Sequence, residues 1–88
     1  MERAMSVKQI VIAQRGWVFV GDVTRDGDDV TISNAQNVRR WGTTKGLGEI
    51  AKNGPTPSTV LDDFGTVRLH ALAIVAALDC EATKWAAL

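Results

Sequence analysis

Residues 17–34 read WVFVGDVTRDGDDVTISN, and this stretch decides the fold class. In an extended chain Trp17, Phe19, Gly21 and Val23 share one face, and Val18, Val20, Asp22 and Thr24 share the other. The first half is apolar on both faces and the second half on one. That pattern predicts a strand that enters a core and leaves at an edge. Gly21 in its middle predicts a bulge or a close backbone approach. Arg25–Asp28, RDGD, is a turn, because the glycine of Asp-Gly accepts the positive φ of a tight hairpin. Asp29–Asn34, DVTISN, sets Val30 and Ile32 inward against Thr31 and Ser33 outward, so it should pair antiparallel with the strand before it.

Toward the N-terminus, Lys8–Ala13 (KQIVIA) is rich in β-branched residues and predicts another strand, ended by Gln14-Arg15-Gly16. Met1–Ser6 reads as a loose tail. Toward the C-terminus, Asn34-Ala35-Gln36 reads as a connection and Asn37–Trp41 (NVRRW) as a short third partner strand. If extended, it places Val38 and Arg40 on one face and Arg39 and Trp41 on the other. Gly42–Lys45 is a loop. Gly46–Asn53 (GLGEIAKN) has Leu47, Ile50 and Ala51 at helical spacing, with Asn53-Gly54 as its stop. Each of its two glycines costs about 1 kcal/mol relative to alanine, so packing at Leu47 and Ile50 must hold the helix.

Gly54–Ser58 (GPTPS) is a stiffened loop, and Thr59–Gly65 predicts no definite element. Thr66–His70 alternates as a strand. Leu72–Asp79 admits helix or strand, and Ala73–Leu78 is assigned to a strand. Glu81–Leu88 predicts a C-terminal helix capped by Asp79, with Ala82, Trp85 and Ala86 as its apolar stripe. The expected architecture is α+β and mostly β. It is a bent antiparallel sheet or small barrel of about five strands, with a short central helix and a C-terminal helix.

A chain of 88 residues makes one domain, 1–88, with a slim margin of stability. Small β domains of this kind often form homo-oligomers. Ten cations balance ten anions, which argues against a nucleic-acid binder relying on phosphate attraction. Cys80 is the only cysteine, so no intrachain disulfide or multi-thiol zinc site is expected, and a reducing compartment fits. The first residues lack a signal-peptide pattern, and the longest apolar run, Ala71–Leu78, is too short to span a bilayer.

Positive charge and glycine concentrate in one place. Arg39, Arg40 and Lys45 fall within seven residues, together with Trp41, Gly42, Thr43 and Thr44. The glycines permit backbone amides to approach a ligand, and the threonines add hydroxyl donors. Trp41 offers a flat ring for stacking, and the helix that follows points its N-terminal amides at the loop. This composition suits a phosphate or carboxylate. It is not a phosphate-binding loop of the Walker type, since Lys45 precedes Gly46. A plain β-to-α connection with solvated cations is the competing reading.

Three other groups have simpler accounts. Asp22, Asp26, Asp28 and Asp29 lack the ligand spacing of a calcium loop and suit a solvated hairpin tip. Asp62-Asp63 can pair with the cationic loop or with nothing. His70 and Cys80 lack a third orienting group, so a nucleophilic pair is not favoured, and neither catalytic residues nor a metal or cofactor is expected.

Certain parts resemble a family of small uncharacterised phage and prophage proteins: VFVGDV, SNAQNVRRW, GTT, LGEIAKNG and the closing AIVAALDCEATKWA. The resemblance covers most of the chain through loose motifs. It implies a phage origin, hence host cytoplasm, and no known activity. The first expectation is a non-catalytic accessory protein that binds a phosphorylated small molecule or nucleotide signal and sequesters a host defence signal. Its site would be Arg39, Arg40, Trp41, Gly42, Thr43, Thr44 and Lys45. One alternative is an inhibitor that binds a host protein through this loop or the Trp85 surface. The other is a structural or assembly component.

Overall fold

The computed structural model describes residues 7–42 and 46–85. The expected N-terminal tail, Met1–Ser6, lies outside them. Five strands form one antiparallel sheet: β1 (Val7–Ala13), β2 (Val18–Asp26), β3 (Asp29–Arg40), β4 (Val60–His70) and β5 (Ile74–Asp79). Two short helices accompany it, α1 (Leu47–Asn53) and α2 (Ala82–Trp85). The strand order is β4-β3-β2-β1-β5, so the first four make a meander and the fifth returns beside the first.

The Asp-Gly hairpin forms where the sequence places it, with Asp26 opposite Asp29 and Gly27 at φ +61°. Gly21 also meets expectation. The β2–β3 register shifts between Val20 and Asp22, and a Cβ at Gly21 would lie 2.7 Å from Ile32 Cγ2.

The turn expected at Asn34–Gln36 does not end the strand. Asn34 adopts φ +52°, and the extra residue is absorbed as a bulge, so Asp29–Arg40 runs as a single strand. Asparagine is among the few residues that tolerate this conformation. Thr59–Gly65, which has no clear periodicity, supplies the start of β4 because β3 offers a ladder to it: Val38 pairs with Leu61 and Asn37 with Asp62.

The sheet is open, with β4 and β5 as its edges, so the closed-barrel form is not what it adopts. It is nevertheless strongly coiled. By the pairing registers, His70 and Ile74 would be about nine residues, roughly 30 Å, apart along a flat ladder and about 19 Å across it. The 3-10 turn Ala71–Ala73 that joins them can reach at most about 14 Å even if extended. Only coiling brings the two ends together. Ala71 N–H donating to Asp28 O at 2.8 Å pins the junction to the hairpin tip.

Coiling explains why both faces of β2 are apolar. One face of the sheet, with Ile10, Val18, Val20 and Val38, is covered by Leu47, Ile50 and Ala51 of α1 and by Trp85 of α2. The opposite face gathers Val11, Phe19, Ile32 and Ala35, flanked by Val23, Val67, Leu69 and Ile74. Every strand contributes to this second cluster and neither helix does, so the coiled sheet buries that face against itself.

Trp85 is fully buried. Its ring is therefore core and presents no surface to a partner, because α2 covers a sheet face that α1 leaves partly open. Ala86–Leu88 lie outside the described residues. Asp79 does not cap α2 either: it is the last residue of β5, and its Oδ1 accepts from Gln9 Nε2 across the β1–β5 ladder at 2.8 Å.

Candidate functional site

β3 carries Arg39 and Arg40 to the end of the sheet, and Trp41 and Gly42 leave it. The departing backbone is clamped. Thr59 Oγ1 donates to Trp41 O at 2.7 Å, and Thr56 Oγ1 donates to Gly42 O at 2.8 Å. The clamp is itself a tight turn, in which Thr59 N–H donates to Thr56 O at 3.0 Å and Ser58 N–H to Thr56 Oγ1 at 3.1 Å. Gly42 sits at φ +71°, and a Cβ there would lie 2.4 Å from the carbonyl carbon of Ser58. Sequence reading found GPTPS stiff but missed the clamp. The usable signal was two threonines flanking Pro57 and Ser58, since such hydroxyls bond to local backbone.

The expected ligand residues divide into three groups. Arg39 is engaged: its Nε lies 3.0 Å from Asp62 Oδ2 and its Nη2 donates to Asp62 Oδ1 at 3.2 Å. Being exposed, that pair is worth no more than about 1 kcal/mol. Arg40 is exposed and makes no ion pair among the described residues. Trp41 is 44% exposed, and Gly46 approaches its ring closely enough that a Cβ would lie 3.7 Å from Cζ3. Thr43, Thr44 and Lys45 lie outside the described residues.

α1 has only seven residues, and Glu49 occupies its first turn. That carboxylate already complements the helix amides, so any attraction for a ligand here rests on side chains and loop backbone rather than on the helix end.

Three concavities lie elsewhere on the described surface. One of about 500 Å³ is lined by Val11, Val23, Arg25, Val30 and Ile74 among others. One of about 270 Å³ lies between Asp29–Thr31 and Arg68–His70. The third, of about 330 Å³, is almost wholly apolar and includes Trp17, Phe19 and Phe64. Trp17 stacks on Phe19 with ring centroids 5.8 Å apart, and Phe64 lies tilted 5.9 Å from Phe19. None of the three is lined by Arg39, Arg40, Trp41 or Gly42.

The chain matches no protein-family model and no curated protein. The functional reading therefore rests on the chain's own geometry.

The remaining titratable groups occupy separate places. Lys8 pairs with Asp22 across β1 and β2 at 3.3 Å. His70 Nδ1 accepts from Leu72 N–H at 3.0 Å, and its Nε2 lies 3.9 Å from Asp28 Oδ2. Cys80 packs against the helix-covered cluster. Among the described residues no group of three or more side chains is arranged to hold a metal ion, and no helix is long and apolar enough to cross a membrane.

Burial pushes the Cys80 thiol from 9.0 up to about 11, with Asp79 adding to the rise and Lys8 and a backbone hydrogen bond opposing it. The folded state thus holds this proton more tightly than the unfolded state. Its stabilising contribution is complete below pH 9 and is lost as pH rises from about 9 to 11. In iodoacetamide labelling at pH 8, Cys80 should react far more slowly in the folded protein than in denaturant. Equal rates would show that the thiol is not shielded.

Proposed function

We propose that the chain is a non-catalytic binding protein for a phosphorylated small molecule, held at the β3–α1 connection. Arg40 supplies the charge, Trp41 a face for a base or other flat ring, and Gly42 bare backbone beside them, with Thr43, Thr44 and Lys45 next in sequence. One observation carries this reading. A half-exposed tryptophan and a cation without a carboxylate partner among the described residues sit beside backbone that two buttressing threonine hydroxyls hold in place. Preorganised backbone lowers the ordering cost of binding. Arg39, tied to Asp62, serves as a strut of the strand end in this reading rather than as a ligand. The setting in this reading is that of a small phage protein, with a nucleotide signal sequestered in a host cell.

A thermal-shift panel of mono-, di- and cyclic nucleotides tests it. A ligand at a hundredfold excess over its Kd adds about 2.7 kcal/mol, which raises Tm of a domain this size by roughly 10–20 °C. Trp41→Ala and Arg40→Ala should each abolish the shift. Arg40→Ala should leave the unliganded Tm within about 2 °C, since that side chain is exposed, and Trp41→Ala should lower it by roughly 4–8 °C, since the ring is half-buried. No shift with any nucleotide at millimolar concentration would overturn the reading. A single protein captured in proportion from host lysate would then favour the host-inhibitor alternative.

A further inference from the structure

We propose that the aromatic cavity bounded by Trp17, Phe19 and Phe64 is a self-association surface, on which two copies of the chain exchange Leu72 side chains across a two-fold axis.

Four of the six exposed large apolar residues among the described ones gather at this cavity, while Val7 and Trp41 lie elsewhere. Trp17 is 48% exposed and Phe64 44%, and both line the cavity. Leu72 is 81% exposed and stands at its rim: Gln14 Nε2 donates to Leu72 O at 3.4 Å, and both Gln14 and Ala73 belong to the lining. Val75, 68% exposed, adjoins it, bulged out of the β1–β5 ladder opposite Ala13. Contiguous apolar surface of this kind marks an interaction site.

Three features favour a second copy over other occupants. First, the lining holds no charged side chain, and its polar side-chain groups are Gln14, which already bonds to Leu72 O, and the single indole N–H of Trp17. A small ligand would therefore find at most one donor and no charge to orient it. Second, a projecting leucine and an apolar hole of about 330 Å³ sit side by side on one surface. Two-fold contact requires that knob meet hole in both directions at once, and this adjacency provides it. Third, an uncharged centre brings no like charges together across the axis. Arg15, exposed on the flanking turn, belongs to a solvated rim.

The area limits the affinity. Apolar patches on monomers usually reach roughly 300–600 Å², and a patch of that size on each copy would bury on the order of 1,000 Å² in total, at the lower bound for a specific interface. The dimer should accordingly dissociate in the micromolar range, independently of anything bound near Trp41.

Sedimentation velocity over a concentration series, with wild type, Leu72→Asp and Leu72→Ala, reads this directly. Wild type should show a reversible monomer–dimer equilibrium. Both variants should weaken it at least roughly tenfold, because two buried leucines are lost per dimer. Their Tm should be unchanged at concentrations where wild type is monomeric, since the side chain is exposed. In the wild-type dimer, isotope-filtered NMR should show contacts from Leu72 methyls of one copy to the Trp17 or Phe64 ring of the other. A protein monomeric at every concentration overturns the proposal. So does a dimer that both variants leave intact, a dimer without those contacts, or native mass spectrometry showing a monomer that retains a small apolar adduct.

Discussion

Trp85→Ala should lose about 3–5 kcal/mol of stability, the range for deleting a large buried aromatic. A chain of 88 residues has only about 4–13 kcal/mol in total, so the variant should be substantially unfolded at 37 °C or melt roughly 15–30 °C lower. The reason lies in what Trp85 covers. It is fully exposed to no solvent, packs in the cluster that contains Ile10, Ile50 and Leu47, and donates from Nε1 to Ile50 O at 3.0 Å. Without it α2 has no large anchor, and the underlying face of the sheet opens. Trp85→Phe keeps most of the ring volume and loses the donor. Ile50 O still accepts from Gly54 N–H at 2.8 Å, so this variant should cost only about 1–2 kcal/mol. Urea denaturation of the pair decides the matter. If alanine costs no more than phenylalanine, Trp85 does not anchor α2 on the sheet face it covers.

Gly42→Ala should cost about 2–5 kcal/mol. Holding an L-residue at φ +71° costs roughly 1–2 kcal/mol, and crowding a closed backbone adds about 1–3. The new methyl would meet Ser58 C at 2.4 Å and Thr59 N at 2.6 Å, both main-chain atoms that cannot rotate away. Relief requires separating the Thr56–Thr59 turn from Trp41 and Gly42, which breaks the two threonine clamps. Binding of any ligand beside Trp41 should fall with it. Gly27→Ala is the control. It has a similar φ of +61° with nothing within 4 Å, so it should cost only the conformational part, roughly 1–2 kcal/mol. Equal costs for the two variants, measured by chemical denaturation, would mean that the clamp does not close as described.

The two variants also locate what could be read from residue order. The hairpin at Gly27 and the helix at Leu47–Asn53 follow from local rules: Asp-Gly turn chemistry and spacing at three and four. The fifth strand does not, since Leu72–Asp79 admits helix or strand locally and pairing with β1 decides between them. The bulge at Asn34 was missed because asparagine-rich stretches signal a turn whether or not a neighbouring strand keeps the ladder going. β4 was half missed because Leu61 and Asp62 become a strand only in contact with Val38 and Asn37.

For the candidate site, the concentration of charge and glycine at 39–45 was visible at once. The pairing of Arg39 with Asp62 was open, and the threonine clamp was not seen. Both depend on which segments the sheet brings opposite the end of β3.

Taken alone, the order of residues determined the class of this protein: a small, mostly antiparallel β domain with two helical pieces and a cationic glycine loop. Those features arise from interactions within a few residues of one another. Tertiary structure alone decided that the sheet coils without closing, that Trp85 is core rather than surface, and that Trp17, Phe64 and Leu72 meet at one apolar hollow. Each of these joins positions far apart in the chain. The coil is set by strand registers and a three-residue link, and no local pattern records the sum of those constraints.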